Sequence, residues 1–82
     1  MKEITVTVKF KEGLHARPAV KLIKTVSSFE SSVTLEKNGK IALANSITAV
    51  LGACITCGDQ IVVRAEGADE DEVIRVLEEY FA

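Results

Sequence analysis

Between Phe10 and Ala19 the apolar residues of this chain change their period, and that change limits its fold more than any other feature. Ile4, Val6, Val8 and Phe10 alternate with Thr5, Thr7, Lys9 and Lys11, the period of two that turns one face of a strand inward. Ala19, Leu22, Ile23 and Val26 then fall at i, i+3, i+4 and i+7, the stripe of an amphipathic helix. Gly13 breaks the strand. Pro18 lies in the predicted first helical turn, where it loses no intrahelical hydrogen bond. Ser27 and Ser28 end the helix.

The rest of the chain repeats the alternation of elements. Val33 and Leu35 give a second strand, and Asn38-Gly39 a hairpin turn, because a type I′ turn needs positive φ at both central residues. Lys40 to Leu43 returns as a third strand. Asn45 or Ser46 caps a short helix that runs to roughly Leu51–Ala53. Gly58-Asp59 turns the chain into a fourth strand, Gln60 to Glu66, with Ile61 and Val63 inward. Asp69 reads as the N-cap of a last helix, with Glu72 completing a capping box and Glu70 and Asp71 complementing the helix dipole. Val73, Val76, Leu77, Tyr80 and Phe81 form its buried stripe. The order is β-α-β-β-α-β-α, which buries its apolar faces only as two layers, helices on one side of a sheet. One α+β domain over residues 1–82 is expected.

Composition and charge exclude several functions. With 82 residues, folding buries only about 60% of the chain's surface, which leaves no room for a deep private active site and a second domain. Residues 1–40 carry eight Lys/Arg against four Asp/Glu, whereas residues 41–82 carry two against eight. The acidic total and the absence of a dense basic cluster argue against nucleic acid. The basic first half suits a small anion or an acidic protein patch instead. Ile41 to Gly58 runs 18 residues without a charge, but as a helix it would span only about 27 Å, and it reads as two short buried elements rather than a membrane insertion. The first residues contain no apolar signal-peptide region. A soluble, cytoplasmic protein is expected.

Three places could carry chemistry. The first is Gly13-Leu14-His15-Ala16-Arg17-Pro18-Ala19. His15, the only histidine, falls at the N-cap of the first helix, where the amides of Ala16 and Arg17 should point outward at the positive end of the dipole. That is an anion site, to which Arg17 adds a guanidinium fork matched to phosphate oxygens. The same positive end favours a neutral, nucleophilic imidazole. A plain polar cap is the competing reading. The second place is Ser46, a cap of the short helix. The third is Cys54-Ile55-Thr56-Cys57, a C-x-x-C that can mean a redox dithiol or half a metal site. No second pair and no nearby His completes a zinc site, so semi-buried packing is the expectation and no metal or cofactor is implied.

GLHARPA, the NGK hairpin, the serine opening the short helix and EGADE before the last helix together resemble HPr, the histidine-containing phosphocarrier family of the bacterial sugar phosphotransferase system. The resemblance covers the whole chain. It implies an open-faced β-sandwich with four antiparallel strands covered by three helices, and a carrier without turnover of its own. It implies that His15 accepts a phosphoryl group from enzyme I, as a pros-phosphohistidine, and passes it to enzyme IIA domains while Arg17 steadies the phosphate. Ser46 aligns with the serine that HPr kinase/phosphorylase modifies in many Gram-positive bacteria, where a catabolite-control regulator reads the result. Asn45, Thr48 and Cys54 depart from the family's common Lys, larger apolar residue and Gly. The implied docking face combines Arg17, Val20, Lys21 and Lys24 of the first helix with Ile47 and Leu51 of the short one, on a monomer. Two alternatives stand beside this reading: a regulatory paralogue acting through Ser46, and a small thiol or metal-binding module using Cys54 and Cys57.

Overall fold

The structure, a computed structural model, describes residues 1–82. Its elements run β1 (Lys2–Thr7), α1 (Ala16–Ser27), β2 (Ser32–Lys37), β3 (Lys40–Leu43), α2 (Ile47–Gly52), β4 (Gln60–Glu66) and α3 (Glu70–Tyr80). The four strands form one antiparallel sheet in the order β1-β4-β2-β3, with the helices on one face, the open-faced β-sandwich expected from the sequence. The last strand therefore lies between the first two in the chain. Its alternation explains why: Ile61, Val63 and Ala65 are all buried, as a central strand requires.

Register places the apolar side chains in rows. Ile4 pairs with Val63, Val63 with Leu35, and Leu35 with Ala42, so one inward row crosses all four strands. Against it pack Ala19, Leu22 and Val26 of α1 and Val73, Ile74 and Leu77 of α3. Ile74 rather than Val76 completes the buried stripe of α3, Val76 being half-buried. Asn38 and Gly39 have φ of 51° and 82°, both positive as the hairpin demands, and Lys37 faces Lys40 across the turn. No helix is long and apolar enough to cross a membrane.

One boundary and one burial differ from the sequence reading. β1 ends at Thr7, three residues before Phe10. Val8 nevertheless stays paired, donating to the Asp59 carbonyl and accepting from the Gly58 amide, both at 2.8 Å. These bonds hold the segment that leaves β1 beside the one that enters β4. Phe10 then turns into an aromatic cluster, its ring centroid 5.3 Å from Tyr80 and 6.0 Å from Phe81. The uncharged stretch after Lys40 is only partly buried: Ile41 and Leu43 are 65% and 56% exposed. β3 is an edge strand whose buried residue, Ala42, faces the helices, so Ile41 and Leu43 stand on the uncovered face.

The Asp69 capping box is also absent. Asp69 precedes α3, but its carboxylate makes no cap bond. It accepts instead from the Glu30 and Ser31 amides, each at 2.9 Å, and from the Ser31 hydroxyl. The reach-back belongs to Glu70, which accepts the Gly67 amide at 3.1 Å. Asp69 thus ties the start of α3 to the turn before β2, a long-range role that outcompetes a local cap.

Acid should loosen the fold through such carboxylates. Hydrogen bonding to Lys37 and to the Thr56 amide holds Asp59 down from 3.8 to about 2, and the Ser31 hydroxyl and Glu30 amide lower Asp69. Groups depressed in the folded state stabilise it above their unfolded values and lose that contribution as pH falls through the folded ones. The melting temperature is therefore expected to hold down to roughly pH 4 and to fall between roughly pH 4 and 2. The advantage of the parent over Asp59→Asn, measured by thermal melts across that range, should vanish at the acidic end.

Candidate functional site

α1 begins where the sequence places it. His15 is the N-cap, extended at φ −83° and ψ −173°, and its side chain makes no cap bond. Its carbonyl accepts the Ala19 amide at 2.9 Å, the first bond of the helix, while its own amide donates to Gly13. Pro18 has no N–H to offer. The first turn is left with two amide donors, those of Ala16 and Arg17, and neither has a partner within the protein. His15, Ala16 and Arg17 are all exposed. The imidazole, two free N–H groups and a guanidinium are thus gathered at one helix end.

The charge at that end runs against helix stability. Acidic residues favour a helix N-terminus and basic ones oppose it. α3 obeys, with Glu70, Asp71 and Glu72 in its first turn, whereas α1 has no acidic residue there and carries Arg17. Free amides and a cation at the positive end of a helix dipole together favour an anion.

The loop before His15 is built to hold that geometry. Gly13 has φ +74°, and a Cβ there would stand 2.4 Å from the Ile55 carbonyl oxygen and 2.7 Å from Thr56 Cα. The Leu14 amide donates to that same carbonyl at 3.0 Å. Two open depressions flank the histidine. One lies toward Phe10, Glu12 and Pro18, and the other reaches Leu51, Cys54 and Thr56.

Tyr80 was legible in the sequence only as part of the α3 stripe. Its hydroxyl donates to the Pro18 carbonyl, inside the first turn of α1, and burial raises its pKa to about 12, which keeps it a neutral donor. The signal was available: a tyrosine in an otherwise apolar stripe needs an acceptor for its hydroxyl. Tyr80→Phe keeps the ring in the cluster and removes one hydrogen bond. It should cost about 1 kcal/mol in denaturant unfolding and shift the Ala16 and Arg17 amide resonances, which a change confined to the core would leave in place.

The remaining candidates spread over two helices. Val20, Lys21 and Lys24 are exposed on α1, Val20 by 44%. Ile47 and Leu51 are partly exposed on α2, which packs against α1. Ser46 is the N-cap of α2, accepting the Ala49 amide at 3.2 Å. Both cysteines, expected as semi-buried packing residues, are exposed and unpaired. Ile55, the residue after Cys54, takes the buried place.

A β-α-β-β-α-β-α fold with an exposed histidine over free helix-end amides defines a class of small anion-handling carriers, and the comparisons agree. Residues 2–82 match the model of the PTS-HPr family, described as "PTS HPr component phosphorylation site", and the chain belongs to that family of phosphocarriers. It is 42% identical over 79 residues to the phosphocarrier protein HPr of Xylella fastidiosa, covering 96% of this chain and 86% of that one. It is 37% identical over 75 residues to the HPr-like protein Crh of Bacillus subtilis, covering 92% and 88%. The solved structure of HPr-C-His from Thermoanaerobacter tengcongensis superposes with a TM-score of 0.95 at 40% identity, covering 99% of this chain and 91% of that one.

Proposed function

We propose that this chain is a cytoplasmic, monomeric phosphocarrier of a sugar phosphotransferase system, acting as one domain over residues 1–82, with His15 as its phosphoryl acceptor. The observation that carries the reading is the exposed His15 imidazole at a helix end whose two amides, Ala16 and Arg17, have no partner in the protein. The Nδ1 lone pair attacks the phosphorus held by phospho-enzyme I. A P–N bond forms as the bond from phosphorus to the donor breaks, and the reverse step delivers the group to an enzyme IIA domain. The two amides and the Arg17 guanidinium stabilise the added negative charge. They do so modestly, as a reversible carrier requires, and the partner supplies the rest of the transition-state electrostatics.

Docking would use Val20, Ile47 and Leu51 as an apolar centre with Arg17, Lys21 and Lys24 around it, suited to acidic partners. Ser46 is the regulatory position in this reading. A phosphate at a helix N-terminus is favourable in itself, and at this position it would place negative charge on the surface that meets enzyme I. The likeness to Crh supports a second reading, a regulatory paralogue acting through Ser46 with HPr kinase/phosphorylase and a catabolite-control regulator.

Reversing Lys21 and Lys24 together to Glu should slow phosphoryl acceptance from phospho-enzyme I about 10- to 100-fold at low ionic strength, with the deficit shrinking as salt screens it. A rate unaffected by the double reversal would remove these lysines from the docking face.

A further inference from the structure

Glu12 is the charged residue beside the histidine that the carrier reading leaves without a task. Glu12, His15 and Ala16 line both depressions at the imidazole, and Glu12 is the only acidic residue lining either. Its side chain is exposed. It pairs with neither Lys11 nor Arg17, although both line the same depression. Nor does it accept the free amides of Ala16 and Arg17, three and four residues... along the chain, or any other donor.

The backbone that carries this carboxylate is fixed. Lys11 and Glu12 are the central residues of a turn closed by the Gly13 amide, which donates to the Phe10 carbonyl at 2.9 Å. Phe10 is anchored in the cluster with Tyr80 and Phe81. Gly13 lies against Ile55 and Thr56 with no room for a Cβ. With both ends of the turn held, Glu12 stays at the rim of the site. Asp and Asn serve turns by bonding the nearby backbone through their short side chains, and Glu12 makes no such bond. What it adds is one negative charge at a helix end that otherwise gathers positive ones.

We infer that Glu12 sets how loosely the phosphoryl group is held. Its carboxylate repels the negative charge that His15 takes on, and so offsets part of the stabilisation from the two amides and the Arg17 guanidinium. The phosphorylated chain is thereby kept a ready donor. Glu12 acts through space on that charge and is not a catalytic residue. Because the site is open to water, salt screens the repulsion. The inference deepens the carrier reading above and rests on it for the consequence to transfer, whereas the repulsion of an anion at this helix end does not depend on it.

The test sets two chains against each other. Isotopically labelled parent and unlabelled Glu12→Gln are mixed in equal amounts with catalytic enzyme I and limiting phosphoenolpyruvate. Enzyme I passes the group between them, the P–N bond to one His15 breaking and a P–N bond to the other forming, and intact mass reads the partition at equilibrium. At low ionic strength Glu12→Gln is expected to hold the group about three- to tenfold more favourably than the parent. The ratio should approach unity in about 0.5 M salt, and Glu12→Asp, which keeps the charge, should partition as the parent does. Equal partition at low salt overturns the inference. So does a ratio that favours the parent or ignores salt, or a Glu12→Asp that behaves as Glu12→Gln. Titration with inorganic phosphate, followed at the Ala16 and Arg17 amide resonances, measures the repulsion without transfer. Glu12→Gln should bind phosphate more tightly than the parent, and equal affinity likewise overturns the inference. Should the parent accept no phosphoryl group, the carrier reading fails on its own, and the phosphate titration still decides whether Glu12 opposes an anion here.

Discussion

Gly13→Ala is expected to lower the stability of this chain by about 3 kcal/mol, out of the roughly 5–15 kcal/mol that holds a native domain together. Two costs combine. The residue sits at φ +74°, where an L side chain is strained, and the added methyl would meet the Ile55 carbonyl oxygen at 2.4 Å and Thr56 Cα at 2.7 Å. Neither neighbour is the end of a flexible side chain, so backbone must move. Ile55 is buried and its carbonyl holds the Leu14 amide, so the movement reaches the residue before His15. For a domain of this size the melting temperature should fall on the order of 15 °C. Phosphoryl acceptance should also slow in the fraction that remains folded. Gly39→Ala is the control, since its Cβ would meet nothing within 4 Å although its φ of +82° carries the same conformational strain. The difference between the two variants isolates the contact with Ile55 and Thr56.

Arg17→Ala should separate stability from function in opposite directions. Removing a cation from the positive end of α1 relieves an unfavourable charge–dipole interaction, so the melting temperature should stay level or rise slightly. The same change removes the guanidinium beside the acceptor, and loss of one such electrostatic stabiliser should slow phosphoryl acceptance on the order of 10²-fold. Arg17→Lys keeps the charge but not the fork, and should recover part of the rate. A variant that lost stability and rate together would make Arg17 a structural residue rather than a phosphate ligand.

The features legible in the sequence are those with local causes. Asn38-Gly39 announces its hairpin because few residue pairs accept two positive φ values, and β3 and β4 carry the bounds that their alternation marks. The first helix starts at Ala16 because Pro18 and the Ala19–Val26 stripe both require it. His15 and Arg17 could be singled out for the same local reason, since a helix end has free amides whatever packs behind it. What escaped has long-range causes. Asp69 looks like a cap until β2 brings Glu30 and Ser31 to it. The Tyr80 hydroxyl finds its acceptor 62 residues away. The absence of a second pair or a nearby histidine suggested packing at Cys54 and Cys57, but only the fold reveals that Ile55 fills that space. Ile41 and Leu43 read as buried for a similar reason, because periodicity cannot say which face of an edge strand has a partner.

The most direct test of the central claim is the intact mass of the chain after incubation with phosphoenolpyruvate and a bacterial enzyme I, alongside His15→Ala. A carrier gains one phosphoryl group, loses it on mild acid treatment as a phosphohistidine does, and gains none once His15 is replaced. A folded protein that stays unmodified would contradict the claim, as would a phosphate that survives acid or appears equally on His15→Ala.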